Sequence, residues 1–267
     1  MSDVGWGPFD LSGKSAIVTG GAMGIGFGIV NRLAEAGANV LIADLDEVAA
    51  KSAAGKLASH RGNVTFAKAD VTDPEAGQQL AERCVSEFGS VDILVNNAGI
   101  YPIAMFTDVT PQTFDRIMAV NLKGLLFTSQ GVARRMIEQG SGGVIINIAS
   151  MDGVHPSFPG LTVYGSSKAA VLQATKNMAV ELASSRIRVL AIAPGAIVTE
   201  GTANVSASGD MSEEERQAIG DAMTAKIPLG RMGDPDDIGK VAVFLASSAS
   251  GYMTGSHLLV EGGILLT

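Results

Sequence analysis

Very little in this sequence could bind a metal ion or form a disulfide, since 267 residues include one cysteine and three histidines. The lone Cys84 excludes an internal disulfide. In "LAERCVSEF" it falls on a helical stripe with Leu80 and Phe88, which reads as a buried thiol rather than a nucleophile. His60, His155 and His257 are far apart and have no cysteine partners, so no metal site is expected. Positive charge is scarce too: 19 Lys and Arg stand against 27 Asp and Glu, a formal net charge of -8. Nucleic acid and anionic membranes, which require clustered cations, are therefore not expected partners. The doublet Arg134 and Arg135 reads as a solvated helix face. Long apolar runs are missing, and the opening "MSDVGWGPFDLSGK" is acidic and glycine-rich where a secretory leader needs a basic start and an apolar centre. The expectation is a soluble, cytoplasmic protein.

What is present is apolar and regularly patterned. With 46% hydrophobic and 17% charged residues, the chain can build a sizeable core, and the reading is a short tail over 1–10 followed by one domain over 11–267. The runs "SAIVTG", "NVLIAD", "VTFAKAD", "DILVNN", "GVIINIAS", "IRVLAIAP" and "SHLLVEGG" are rich in Val and Ile, and most lack in-out alternation, as strands covered on both faces do. Segments of helical period lie between them, among them "GIVNRLAEAG", "PEAGQQLAERCVSEFG" and "PDDIGKVAVFLASS". Such alternation predicts an α/β fold: a doubly wound parallel sheet with helices on both faces. Residues 200–226, polar and mostly small, read as a lid or binding loop.

Three local patterns carry chemistry. "TGGAMGIG" places Gly20, Gly24 and Gly26 between the first strand and a helix, where backbone N–H groups can receive a pyrophosphate. Asp44 ends the second strand at the separation where a ribose-binding acid is expected; the alternative is a strand-end cap. A carboxylate there repels a 2′-phosphate, and its neighbours Ala22, Met23 and Leu45 are uncharged, which favours NAD over NADP. The third pattern is "YGSSK", with Tyr164 one helical turn before Lys168. An ammonium about 5 Å from a phenol, at an effective dielectric near 20, favours the phenolate by roughly 3 kcal/mol, which would bring a pKa near 10 towards 8. Taken alone, the pair reads rather as a half-buried tyrosine beside a surface lysine.

With "NNAG" at 96–99, Asn121 in "MAVNLKG", Ser150 in "INIAS" and "PGAIVT" at 194–199, the motifs together resemble the short-chain dehydrogenase/reductase family from about residue 11 to the C-terminus. The resemblance implies a Rossmann-like sheet of about seven strands in the order 3-2-1-4-5-6-7. It implies Tyr164 as acid/base, Lys168 as its activator and cofactor anchor, Ser150 as partner of the substrate oxygen, and Asn121 as a member of a proton relay. The implied cofactor-binding set is Gly20, Met23, Gly24, Ile25, Gly26, Asp44, Leu45, Asp70 and Val71, then Asn97, Ala98 and Gly99, and finally Pro194, Gly195, Ile197 and Thr199, with Tyr164 and Lys168. A homotetramer is also implied. Two departures stand out: Leu190 where many members have Asn, and Gly165 and Ser166 where an alanine commonly precedes Ser-Lys.

Substrate contacts are expected from Tyr101, Ile103, Met151, Asp152, His155, Phe158 and Ala196, besides Ser150 and Tyr164. Their mixed polarity suits a secondary alcohol or ketone, with a polyol or sugar within range. His155 is equally readable as a loop histidine. The rival readings are a 3-oxoacyl-thioester reductase and a catalytically silent NAD(H)-sensing protein.

Overall fold

The computed structural model describes residues 6–199 and 220–267. Seven parallel strands form one sheet: β1 Ser15–Thr19, β2 Asn39–Asp44, β3 Val64–Lys68, β4 Ile93–Asn96, β5 Gly143–Ile148, β6 Ile187–Pro194 and β7 His257–Val260. Their order is β3-β2-β1-β4-β5-β6-β7, as the resemblance implied. The order reverses between β1 and β4, and at such a switch point the loops after the strands splay apart to leave a crevice. The central strands β1 and β4 are buried along their whole length, whereas the edge strands β3 and β7 are only partly covered.

Helices α1 Gly24–Glu35, α2 Glu47–Lys56, α3 Ala76–Phe88, α4 Pro111–Met118, α5 Leu125–Gln139, α6 Thr162–Leu182 and α7 Pro235–Ala246 cover the sheet. Their ends follow from local chemistry. Thr110 and Asp46 accept N-cap hydrogen bonds at α4 and α2, Asp234 and Asp237 form a capping box on α7, and Gly89 and Gly140 close α3 and α5 in the left-handed conformation. One core, with Ile29, Ala50 and Ile238, lies between the sheet and α1, α2 and α7; the other, with Leu80, Cys84, Val132 and Ala179, lies under α3, α5 and α6. Cys84 is fully buried, and burial pushes its thiol up to about 12. Leu190 is also fully buried in the first core, so the departure there is an apolar packing choice.

Between α4 and α5 the backbone does not continue as an α-helix: Ala119–Gly124 forms a π-helical turn. Trp6 packs against the first core, so the described part of the N-terminal tail is anchored. Of the lid segment, 200–219 lie outside the described residues, and 220–224 are helical. No described helix is long and apolar enough to cross a membrane.

Candidate active site

The strand ends at the switch point are tied together before any ligand is considered. Thr19, last in β1, accepts from the N–H groups of Asn97 and Ala98 at 3.0 and 3.1 Å. The Asn97 amide donates back to the carbonyls of Thr19 and Gly20 at 3.0 and 2.8 Å. Gly20 has φ +61°, and a Cβ there would lie 2.9 Å from Ala98 Cα; at Gly26 a Cβ would overlap the Gly20 carbonyl oxygen. The turn therefore closes only with glycines, and it presents the start of α1 to the crevice. Met23 at the N-cap offers that helix no side-chain cap, and its first turn holds no acid. Free N–H groups at an uncapped helix start suit a pyrophosphate.

Asp44 both caps and faces outward. Its carboxylate accepts from Ala22 N and Asp46 N, each at 3.1 Å, so it holds the glycine turn against the end of β2. Carboxylate oxygens have lone pairs beyond those two bonds. Met23 and Leu45 beside it are exposed. The register also pairs Asp44 with Lys68 of β3, a cation that strand-by-strand reading does not bring there. Asp70 is exposed, next to Val71, and its carboxylate is held low by hydrogen bonds from the backbone and hydroxyl of Thr72. Pro194 ends β6, Gly195 and Ala196 are partly exposed beyond it, Ile197 is buried, and Thr199 lies 3.4 Å from the position of a Cβ on Gly24. Ile25, in the first turn of α1, packs on the core.

Across the switch point, Ser150 follows β5, and Tyr164 and Lys168 lie in the first two turns of α6. Ser150 acts on the Tyr164 phenol, favouring its ionised form against the effect of burial. Tyr101, after β4, meets the Tyr164 ring edge-on at 5.9 Å and hydrogen-bonds Thr199. Lys168 Nζ sits 5.8 Å from the centroid of the Tyr164 ring and donates to the Ile148 carbonyl at 2.8 Å. A protonated lysine has three N–H donors, so two are left over for other partners. Asn121, in the π-helical turn, accepts from Ile100 N at 2.8 Å and donates to Ile100 O and Ser167 Oγ at 2.9 and 3.1 Å. A Cβ on Gly99 would lie 3.4 Å from Lys168 Nζ and 3.5 Å from Asn121 Oδ1, so only a bare backbone separates these groups.

The electrostatics of the pair correct the expectation drawn from spacing. Burial pushes the Tyr164 phenol up to about 12, with the Asp152 charge adding to it and the Ser150 hydrogen bond opposing it. Burial pushes Lys168 down to about 8. Desolvation of both groups outweighs the attraction that a phenol and an ammonium would feel in a wetter setting.

A family model described as enoyl-(acyl carrier protein) reductase matches residues 20–265. The 2-dehydro-3-deoxy-D-gluconate 5-dehydrogenase of Dickeya dadantii is 41% identical over 96% of this chain and 97% of its own length. The L-rhamnose 1-dehydrogenase (NAD(P)(+)) of Azotobacter vinelandii is 38% identical over 96% and 98%. The chain belongs to the short-chain dehydrogenase/reductase family. A crystal structure of a short-chain dehydrogenase/reductase from Mycobacterium marinum superposes with TM-score 0.88 at 39% identity, covering 97% of this chain and 98% of the other. This short-chain dehydrogenase/reductase is an oxidoreductase of CH–OH groups that uses a nicotinamide cofactor and acts on small molecules.

The remaining expected substrate contacts divide. Ile103 and Phe158 are exposed, while Met151 is buried. His155 is exposed, with its Nδ1 3.0 Å from the Pro156 carbonyl oxygen. Asp152 spends its oxygens inside the protein, on Ser157 and Ser150. Sequence reading passed over Thr19 and Ser167. Ser167 is fully buried and joins Asn121 to the Tyr164 carbonyl, to which it donates at 2.7 Å. Its signal is its place three residues after Tyr164, on the same face of α6.

Proposed function

We propose that this protein is an NAD(H)-dependent dehydrogenase that interconverts a secondary alcohol and a ketone, with neutral polyols and sugars among its substrates. The reading is supported by the convergence of Ser150, Tyr164 and Lys168 after β5, across the switch point from the uncapped start of α1. A bound nicotinamide supplies the hydride acceptor for oxidation and the donor for reduction. In this reading Ser150 donates a hydrogen bond to the reacting oxygen, and Tyr164 takes the hydroxyl proton in oxidation or returns it in reduction. Lys168 holds the cofactor with its spare donors, and Asn121 fixes the backbone at Ile100 and α6 at Ser167. In the chain alone the phenol keeps its proton at neutral pH, which is the state that reduction needs.

The preference for NAD is supported by Asp44, whose carboxylate is pinned at the glycine turn, and by its uncharged neighbours Ala22, Met23 and Leu45. Lys68 opposes it, being the one cation in register with that acid. The substrate reading is supported by the segments around Tyr164, since residues 99–110, 149–163 and 195–199 contain no Lys or Arg to pair with an anionic substrate. Formation of reduced cofactor, followed by absorbance over a panel of alcohols, sugars, sugar acids, ketones and 3-oxoacyl thioesters with NAD and NADP in parallel, tests it. Turnover of neutral alcohols with NAD, lost in Tyr164→Phe, is the expected result. Turnover confined to thioesters with NADP, or activity unchanged in Tyr164→Phe, would overturn it.

A further inference from the structure

Asp152 stands two residues after Ser150, in the short helical turn Met151–Gly153, and none of its hydrogen bonds among the described residues leaves the protein. One oxygen accepts from Ser157 N at 3.0 Å and Ser157 Oγ at 2.6 Å. The other accepts from Ser150 Oγ at 3.3 Å, while Asp152 N donates to that same Oγ at 3.1 Å. The backbone N–H occupies one lone pair of Ser150 and so fixes its hydroxyl. The contact to the carboxylate is long, so the hydroxyl proton is only weakly held there and can turn to another acceptor.

Two glycines press this turn onto α6. A Cβ on Gly153 would stand 2.8 Å from the Lys168 carbonyl carbon, and one on Gly165 would stand 2.9 Å from the Asp152 carbonyl oxygen. Gly165 is one of the two positions at which "YGSSK" departs from the family pattern, and the approach of the Asp152 carbonyl accounts for the glycine. Ser150, Asp152, Tyr164 and Lys168 are thereby locked into one unit.

We propose that Asp152 is a positioning residue for the Ser150–Tyr164 pair: it clamps the loop through Ser157, holds the Ser150 hydroxyl, and seats the 151–153 turn against α6. The titratable groups that face the phenol are Asp152 after β5, Tyr101 after β4 and Lys168 on α6 itself. Of these, Asp152 is the acid whose charge raises the phenol. The inference rests on Tyr164 as the proton-transfer group, so its test includes a readout that needs no substrate.

The full chain has three tyrosines. Stopped-flow pH jumps that follow tyrosinate absorbance, repeated with Tyr164→Phe in each background, isolate the Tyr164 component. A charge roughly 6 Å from the phenol, at an effective dielectric near 20, is worth about two pH units, so removing it in Asp152→Asn should lower the Tyr164 midpoint by up to about that much. The midpoint of alcohol oxidation should fall with it, and Asp152→Glu should restore both. Ser157→Ala keeps the charge; it should leave the midpoint in place and lower kcat several-fold with little change in KM. Asp152→Ser is the second charge-free variant if the Asn form does not fold. An unmoved Tyr164 component in the charge-free variants overturns the inference, as does a rise in KM with kcat and midpoint unchanged, the mark of a substrate contact. A shifted tyrosinate component with no turnover of any substrate would uphold the positioning role and defeat the catalytic reading instead.

Discussion

Replacing Lys168 by methionine should make the protein's stability respond differently to pH. The side chain is 4% exposed, and burial takes its ammonium from 10.5 down to about 8. Below pH 8 folded and unfolded chains both hold the proton, and the full cost of burying it, about 3 kcal/mol, weighs on the fold. Between pH 8 and 10.5 the unfolded chain binds more protons than the folded one, so stability rises with pH. Above 10.5 both forms are neutral and the cost is gone. At pH 9.5 less than half of the cost remains, so wild type should gain about 2 kcal/mol on Lys168→Met between pH 7 and 9.5. The Ile148 carbonyl loses its donor in the variant at both pH values, so that loss cancels in the comparison. Urea unfolding of both proteins at the two pH values supplies the four free energies, and subtraction removes every other titrating group. A wild-type-minus-variant difference that stays constant within about 0.5 kcal/mol would refute the account of Lys168 as a buried, desolvated amine.

Oxidation should speed up as pH rises past neutrality, because the phenol, pushed up to about 12, must lose its proton to act as a base, while reduction should stay level over the same range; parallel profiles of kcat/KM would contradict this. Asp44→Ala should shrink the preference for NAD over NADP about tenfold or more, since it removes a charge of about 1.4 kcal/mol or more against the 2′-phosphate and leaves Lys68 unopposed. An unchanged ratio would take Asp44 out of the ribose role. Cys84, buried with its thiol near 12, should resist alkylation in the folded protein and react once urea unfolds it, as mass spectrometry can read. Rapid labelling in native buffer would contradict its burial.

The sheet was legible in the sequence because its central strands are covered on both faces, so runs such as "SAIVT" and "ILVN" show no alternation and stand apart from the helices. The glycine turn and "YGSSK" were legible for a similar reason: each is a local pattern whose geometry depends on nearest neighbours. Depth of burial is not local. Spacing brings an ammonium near a phenol, but the protonation states follow from how much protein surrounds both, which only the packing of α6 on β5 and the 151–153 turn determines. Lys68 was missed because its position beside Asp44 depends on strand register, and Asp152 was expected to face a substrate because its partner Ser157 is brought round by a loop.

The π-helical turn at Ala119–Gly124 has a further consequence, for tolerance to insertion and deletion. Each residue in a helix turns the chain by about 100°, so removing one from this stretch would rotate α5 on its axis relative to α4. Gly131 and Gly77, whose backbones touch where α5 crosses α3, would then face away from each other. The surplus residue is thus a phase adjuster: it lets one continuous rod aim an amide inward at Asn121 and still seat its second half squarely on its neighbour, and a shortened chain would have to give up one or the other.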